Sequence, residues 1–280
     1  MPELPEVETL RIGLEKVLVG NVILDVEIKN KKIISGNGTK RFPDKKKELE
    51  FVAGITNKKI ISVTRRAKNI IITLTDKSII LVHLKMTGQM IYDEEPHKHT
   101  HIIFKLKKGM LNYNDVRQFG YVLWYESEAS AVGAGHFQKL GLEPFDKKFT
   151  LKYFAENIIK KNKSIKAALL EQSVVVGCGN IYCDEICFAS NVLPTRNCKT
   201  LSNLEIKDLH KNIIKILSKA IKMGGSSISD YVAVNGESGK YGNVHKVYGR
   251  SGLTCYTCKK ILEKTIISGR ATVFCNTCQK

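Results

Sequence analysis

Two stretches of this 280-residue chain carry residue types that could do chemistry. The first is its opening, MPELPEVE, in which Pro2 and Glu3 stand side by side and Glu6 and Glu8 follow. If Met1 is removed, Pro2 presents a secondary amine whose proton affinity starts in the α-amino range. Such an amine can attack carbonyl-like carbon and form an iminium intermediate, and the neighbouring Glu3 can supply or accept the proton that this chemistry moves. The second stretch is CYTCKKILEKTIISGRATVFCNTC, in which Cys255, Cys258, Cys275 and Cys278 form two C-x-x-C pairs. Two such knuckles at this spacing predict a four-thiolate zinc ribbon, and four thiolates leave the metal no open position, so one structural zinc is expected. Between the pairs, Ser268-Gly269-Arg270 reads as a hairpin tip that presents an arginine suited to a phosphate.

The charge balance says what those groups could act on. Lys and Arg number 45 against 27 for Asp and Glu, a formal net charge of +18. That excess points to a polyanion, and nucleic acid leads because no basic amphipathic helix with an aromatic face stands out. No apolar run is long enough to span a bilayer and no export signal precedes the first helix, so no membrane partner and a cytoplasmic residence on DNA are expected. At C1′ of a nucleotide, attack by the Pro2 amine would displace the base and leave the sugar covalently bound, with Glu3 protonating the ring oxygen to open it.

The elements that must position these groups read as follows. Residues 5–18 predict a helix with Pro5 in its first turn, and Val7, Leu10, Leu14 and Val17 form its apolar stripe. Glu6 and Glu8 suit the helix dipole there, and whether either faces Pro2 stays open. From 21 to 125 the pattern is β. Val22, Leu24, Val26 and Ile28 alternate, and hairpin turns are expected at Asp76-Lys77 and Lys108-Gly109. From 150 to 223 it is helical, ending in a helix capped by Ser202, striped by Leu204, Leu209, Ile213, Ile216, Leu217 and Ala220, and stopped by Gly224. Residues 224–249 are rich in Gly and Ser and have no clear period, as expected of a loop that is either disordered or functional. Cys178, Cys183, Cys187 and Cys198 lie in the helical region and read as buried small hydrophobes. The fold class expected is α+β: an N-terminal helix with an antiparallel β-sandwich (1–135), a helical domain (136–246) and the zinc ribbon (247–280).

In order along the chain, MPELPEVET, RRAK (65–68), HLKMTG (83–88), NDVRQFG (114–120), LGLEP (140–144), VVGCGNIYCDE (175–185), VYGRSG (247–252) and GRATVFCNTCQ resemble the motifs of the formamidopyrimidine-DNA glycosylase family over the whole chain. The resemblance implies a bifunctional enzyme that excises oxidised purines from duplex DNA through a Schiff base at Pro2, with β,δ-elimination following. Pro2 matches the nucleophile and Glu3 the general acid. Lys68 matches a lysine at the lesion phosphate, and Arg270 matches the ribbon arginine on the same phosphate. Asn180, in a helix–two-turns–helix element, matches a phosphate contact. His83, His99, Lys161 and Lys166 match residues near DNA. Met86, Arg117 and Phe119 match the three side chains that fill the hole left by an everted base. Extruding a base costs a few kcal/mol of stacking, which apolar wedges partly offset. Segment 224–244 matches a loop that closes over the lesion. DNA is expected between the domains, bound by a monomer. Three departures are Lys85 and Val116, where the family usually has glycine and proline, and Gln118, where it usually has arginine. Two rival readings are a related glycosylase for oxidised pyrimidines and a non-catalytic protein that binds damaged DNA.

Overall fold

The computed structural model describes residues 2–38, 40–227 and 232–280. The first element, α1 (Leu4–Leu18), starts one residue earlier than the proline signal implies, because Glu3 takes the N-cap position and Leu4 the first helical one. Val7, Leu10 and Leu14 are buried as the stripe requires; Val17 is only half-buried, and Leu18 is buried instead. Beyond Val19, Gly20 turns the chain with φ +86°, a conformation open to glycine at little cost.

Strand β1 (Ile23–Ile28) departs from the expected alternation. A bulge between Ile23 and Asp25 puts Ile23 inward and leaves Leu24 48% exposed, so the period-two pattern holds only from Val26 onward. Helix α2 (Lys45–Ile55), capped by Asp44, was not signalled by the sequence pattern. Its apolar face is narrow, and it packs by laying Gly54 against the Trp124 indole, where a Cβ would come within 2.3 Å. Six strands then follow in the β region: β2 (Ile60–Arg66), β3 (Asn69–Leu74), β4 (Ile79–His83), β5 (Gly88–Tyr92), β6 (Thr100–Leu106) and β7 (Met110–Asp115). The Asp76-Lys77 and Lys108-Gly109 turns fall where expected. Strand β8 (Tyr121–Tyr125) and the short α3 (Glu128–Gly133) follow.

These strands form two four-stranded antiparallel sheets, ordered β1-β6-β7-β5 and β2-β3-β4-β8. Their apolar inner faces and the buried stripe of α1 make one core, which includes Leu14, Ile72, Val82, Phe104, Tyr113 and Val122. Burial of this size is the main stabilising term of the first unit.

The helical region holds α4 (Leu151–Ile158), α5 (Ile165–Leu170), α6 (Asn180–Ala189) and α7 (Asn203–Lys222). Ser202 and Glu205 cap α7 reciprocally, the arrangement that satisfies two otherwise unpaired amides. The stripe is correct except at its first member: Leu204 is 74% exposed, and Ile206 takes the inward position. Cys178, Cys183, Cys187 and Cys198 are all buried, as expected of small hydrophobes. Burial pushes the thiols of Cys187 and Cys198 up, which leaves them unreactive. The ribbon is β9 (Glu263–Ile267) paired with β10 (Arg270–Phe274).

The chain divides into two compact units, Met1–Gln138 with Gly224–Lys240, and Lys139–Met223 with Tyr241–Lys280. This differs from the expected order of three parts. The glycine-rich segment belongs to the β-sandwich unit because Val234 enters that core against Gly13 and Ser226 bonds to Glu6. The ribbon belongs to the helical unit because buried groups of α5 and α6 bond to β10. Among the described residues, no helix is long and apolar enough to cross a membrane.

Candidate active site and nucleic-acid interface

In the first unit, α1 organises the site. Pro2 and Glu3 are both buried at its start. Glu6, 1% exposed, answers one question that the sequence left open. Its Oε2 accepts the backbone N–H of Glu3 at 2.7 Å, and its Oε1 accepts the backbone N–H of Ser226 at 2.7 Å. One carboxylate therefore joins the N-terminal Pro2-Glu3 segment to the glycine-rich segment. Gly225 makes room for it: φ is +81°, and a Cβ would stand 2.8 Å from Glu6 Oε1. Glu8 answers the other question. Its Oε2 accepts from Arg65 Nε at 2.7 Å, and Arg65 NH1 donates to the carbonyl of Ala67 at 2.8 Å, beside Lys68. Glu8 also accepts from Arg11 Nε at 2.9 Å. The carboxylates of α1 therefore reach two neighbouring turns instead of serving only the helix dipole.

Lys68 lies in the β2–β3 turn, just before Asn69, which pairs with His83 of β4. Lys85 donates its backbone N–H to His83 Nδ1 at 3.0 Å, which fixes that nitrogen as an acceptor. The neutral ring then carries its proton on Nε2, the tautomer that can donate to a phosphate. Desolvation, together with Lys85, Lys68 and His136, lowers the His83 pKa to about 3, so the ring stays neutral at physiological pH. Met86 follows in the same turn and is half-buried. Arg117 and Phe119 are exposed, with the guanidinium 4.7 Å from the centre of the Phe119 ring. Their loop is held from inside by Asp115, which accepts from the backbone N–H of Gly120 at 2.8 Å and from Thr87 Oγ1, while Thr87 Oγ1 accepts from the backbone N–H of Arg117 at 3.0 Å. This phenylalanine is half in water on a firmly held loop and takes no part in the core. His99 lies across the sheet edge, its carbonyl accepting from the backbone N–H of Asp115 at 3.0 Å.

In the second unit, Asn180 is the first residue of α6, with Gly179 as its cap. Its Nδ2 donates to the carbonyl of Ala271 at 3.0 Å, next to Arg270, and its buried Oδ1 has no hydrogen-bond partner. Arg270 is exposed at the ribbon tip, following Ser268 and Gly269, both at positive φ. The structure thus ties Asn180 to the backbone of the residue that follows Arg270.

Lys166, matched by resemblance to a residue near DNA, lies in the interior instead. It is fully buried, its Nζ 2.7 Å from Asp184 Oδ1, 2.8 Å from Thr272 Oγ1 and 3.2 Å from the Ala271 carbonyl. The Asp184 carboxylate faces the ammonium as a buried ion pair, and its Oδ2 accepts the Val273 N–H at 3.0 Å. Burial outweighs the lysine's effect and pushes the Asp184 carboxyl up to about 6. Lys166 therefore holds the ribbon strand that carries Arg270. Lys161 is also committed, to Ser173 Oγ at 2.9 Å and Glu171 Oε2 at 3.3 Å.

The four ribbon sulfurs lie within 4.8 Å of one another. Cys255 and Cys278 are 3.9 Å apart and Cys258 and Cys275 3.4 Å. A tetrahedron with Zn–S bonds of ~2.3 Å has edges of ~3.8 Å, so the donor set fits zinc. Burial alone would raise the Cys255 thiol, but the backbone amides of Cys258 and Thr257 donate to its sulfur and bring it down to about 7. Residues that sequence reasoning did not single out are Arg65, Asp115, Ser226, Asp184 and Glu185. The last accepts the backbone amides of Lys246, Val247 and Tyr248 at 2.9 to 3.0 Å. Each is a buried or half-buried polar group whose partner is distant in sequence, so local motifs carry little signal for it.

A β-sandwich with a buried Pro-Glu terminus, and a helical unit with a four-cysteine ribbon, define a class of DNA glycosylase. The formamidopyrimidine-DNA glycosylase N-terminal domain model matches residues 1–122, and the formamidopyrimidine-DNA glycosylase H2TH domain model matches residues 140–232. Formamidopyrimidine-DNA glycosylases of Halalkalibacterium halodurans and Prochlorococcus marinus are 39% and 38% identical, each covering 100% of both chains. A Lactococcus lactis FPG variant in complex with Fapy-dG-containing DNA superposes with a TM-score of 0.89 at 37% identity over 100% of both chains. The wild-type L. lactis protein with oxidised-pyrimidine-containing DNA gives 0.88 at 36%, again over 100% of both. The chain belongs to the formamidopyrimidine-DNA glycosylase family.

Proposed function

We propose that this chain is a bifunctional DNA glycosylase and AP lyase that removes oxidised purines, 8-oxoguanine and formamidopyrimidines, from duplex DNA in base excision repair. The observation that carries the reading is the Glu6 bridge. It fixes the Pro2-Glu3 terminus and ties it to the segment proposed to cover the extruded base.

Met1 lies outside the described residues, and its removal is part of the proposal. The freed Pro2 nitrogen attacks C1′ and the C1′–N bond to the base breaks. The amine loses its proton and the base gains one. Glu3 protonates the ring oxygen, the ring opens, and an iminium joins Pro2 to C1′. Loss of a C2′ proton expels the 3′ phosphate, and a further elimination expels the 5′ phosphate. Hydrolysis of the imine then frees the enzyme and leaves a one-nucleotide gap. Lys68, His83 and Arg270 hold the phosphates, with Asn180 supporting Arg270. Met86, Arg117 and Phe119 occupy the gap in the stack, and His99 and Lys161 lie along the DNA. Zinc at the four cysteines would keep the ribbon folded and takes no part in the chemical steps. A monomer working on DNA in the cytoplasm suits this reading.

The complex of the L. lactis relative with oxidised-pyrimidine DNA favours, as a second reading, binding of such bases here as well. The test is excision from duplexes carrying 8-oxoguanine or an oxidised pyrimidine. Strand scission with phosphate at both gap ends is expected on 8-oxoguanine; scission confined to the pyrimidine lesion would replace the first reading by the second, and binding without scission would leave a non-catalytic protein.

A further inference from the structure

The loop that carries Arg117 and Phe119 is braced on its inner side by Asp115 and Thr87. A second brace comes from residues 30 and 41, which lie far away along the chain. Arg41 is half-buried, and both terminal nitrogens of its guanidinium reach the loop. One donates to the carbonyl of Gly120 at 2.6 Å and the other to the carbonyl of Gln118. These acceptors belong to the residues on either side of Phe119. A planar fork that spans two carbonyls fixes their separation, which a flexible ammonium does not. Burial lowers the Arg41 pKa, while Tyr113, Asp115 and Tyr121 oppose that shift. The guanidinium therefore faces Asp115, the inner brace, as well as the two carbonyls.

Asn30 supplies the other half of the brace. Its Oδ1 accepts the backbone N–H of Lys32 at 3.2 Å, which leaves Nδ2 as its donor. That Nδ2 donates to Gln118 Oε1 at 3.0 Å. The backbone N–H groups of Lys29 and Asn30 both donate to the carbonyl of His101, at 2.9 and 3.3 Å. The His101 ring in turn donates from Nε2 to the Asp115 carbonyl at 2.8 Å. Asn30 is thus anchored to the same residue that braces the loop from inside. Gln118 has φ +56°, a pose that persists where the surroundings hold it. The arrangement also gives a reason for glutamine at 118. Asn30 offers a donor there, and an arginine has no acceptor to meet it.

Resting on the proposed function, we propose that Arg41 is a positioning residue for base extrusion. With the Asn30–Gln118 pair, it holds the 115–120 loop in the pose from which Phe119 enters the stack. Arg41 acts through Phe119 and touches neither the lesion nor the reacting atoms.

Excision of 8-oxoguanine from duplex DNA is followed under single-turnover conditions for wild type, Arg41→Met, Gln118→Met, Phe119→Ala and the double variant Arg41→Met with Phe119→Ala. Arg41→Met should slow excision about tenfold or more, as displacement of a positioned group does. Gln118→Met, which loses one neutral hydrogen bond, should slow it about fivefold. In the double variant, Arg41→Met should add little to the loss from Phe119→Ala, because residues that act through one step are not additive. The slope of log affinity against log salt should stay at the wild-type value in Arg41→Met. Full multiplication of the two single losses, or a slope lowered by about 1, overturns the proposal, since Arg41 would then hold a phosphate. A loss that tracks a lower Tm and vanishes well below it assigns Arg41 to the fold and overturns the proposal too. If Arg41→Met does not fold, the exposed Gln118→Met decides, and excision at the wild-type rate overturns the brace. Wild-type rates in both variants, with the wild type still trapped covalently on the lesion, overturn the proposal and leave the function standing. Wild-type protein that neither excises the base nor is trapped on the duplex overturns the function itself.

Discussion

The two units solve the same problem, holding exposed functional side chains in place, with different reserves. In the sandwich unit, a core shared by two sheets and α1 supplies the stability, and the carboxylates of α1 act as struts on top of it: Glu6 to Glu3 and Ser226, Glu8 to Arg65. In the helical unit, the ribbon's own core is small, consisting of Val247, Leu262, Val273 and two cysteines with Phe188 against it. Arg270 therefore depends on the four thiolates and on the buried Lys166–Asp184 pair. The comparison teaches that a strut can be lost from the first unit with its core intact. Loss of a tie in the second unit costs the structure that carries the function.

The largest effect should follow removal of the metal. Structural zinc contributes ~10–16 kcal/mol in small ribbon-type units. Chelation, or Cys258→Ser, should abolish specific DNA binding while the near-ultraviolet signal of Trp124, in the sandwich, persists. Loss of both signals together would erase the contrast between the units.

Next is Lys166→Met, which strands Asp184 in the interior and should cost about 3–5 kcal/mol by urea titration. Lys166→Met with Asp184→Leu should recover most of that loss, because the stranded charge is gone. Failure to recover would show that shape, not charge, holds β10.

Glu6→Gln is smaller. Its amide can still accept one N–H but must turn a donor toward the other, a penalty of about 1–3 kcal/mol. Single-turnover excision should fall well beyond any change in duplex affinity. Equal losses in both would mean that Glu6 supports the fold and not the terminus.

At neutral pH, where the His83 ring is uncharged in both states, the remaining effect is silent and shows only on acidification. Desolvation, Lys85, Lys68 and His136 hold the folded pKa of His83 at about 3, below the ordinary value near 6.5. The folded state therefore binds fewer protons than the unfolded one between those values. His83 contributes stability that is complete above about pH 6.5 and is lost as pH falls toward 3. Lys85→Gln should move the ring's NMR titration midpoint upward; an unmoved midpoint would separate the two residues electrostatically.

Much of this was legible in the sequence where a residue's neighbours along the chain decide its role. The cysteine spacing set the ribbon, the hairpin turns fell as their Asp-Lys and Lys-Gly pairs implied, and Ser202 capped α7. Where a partner lies far along the chain, the sequence was silent or misleading. The Lys166 ammonium looks like any basic group until Asp184 and Thr272 close around it. Leu24 loses its inward place to a bulge, and Leu204 to Ile206. Helix α2 owes its position to the fit of Gly54 against Trp124, which no periodicity reports. The roles of Glu6 and Glu8 emerge only once residues 226 and 65 are seen beside them.

The central claim, that the terminal amine of Pro2 is the nucleophile, is tested most directly by borohydride reduction of the protein mixed with 8-oxoguanine duplex, followed by peptide mass mapping of the trapped species. The account predicts one sugar adduct on the N-terminal peptide, at Pro2 with Met1 removed. An adduct on a lysine such as Lys68, or excision with no trapped species, would contradict it.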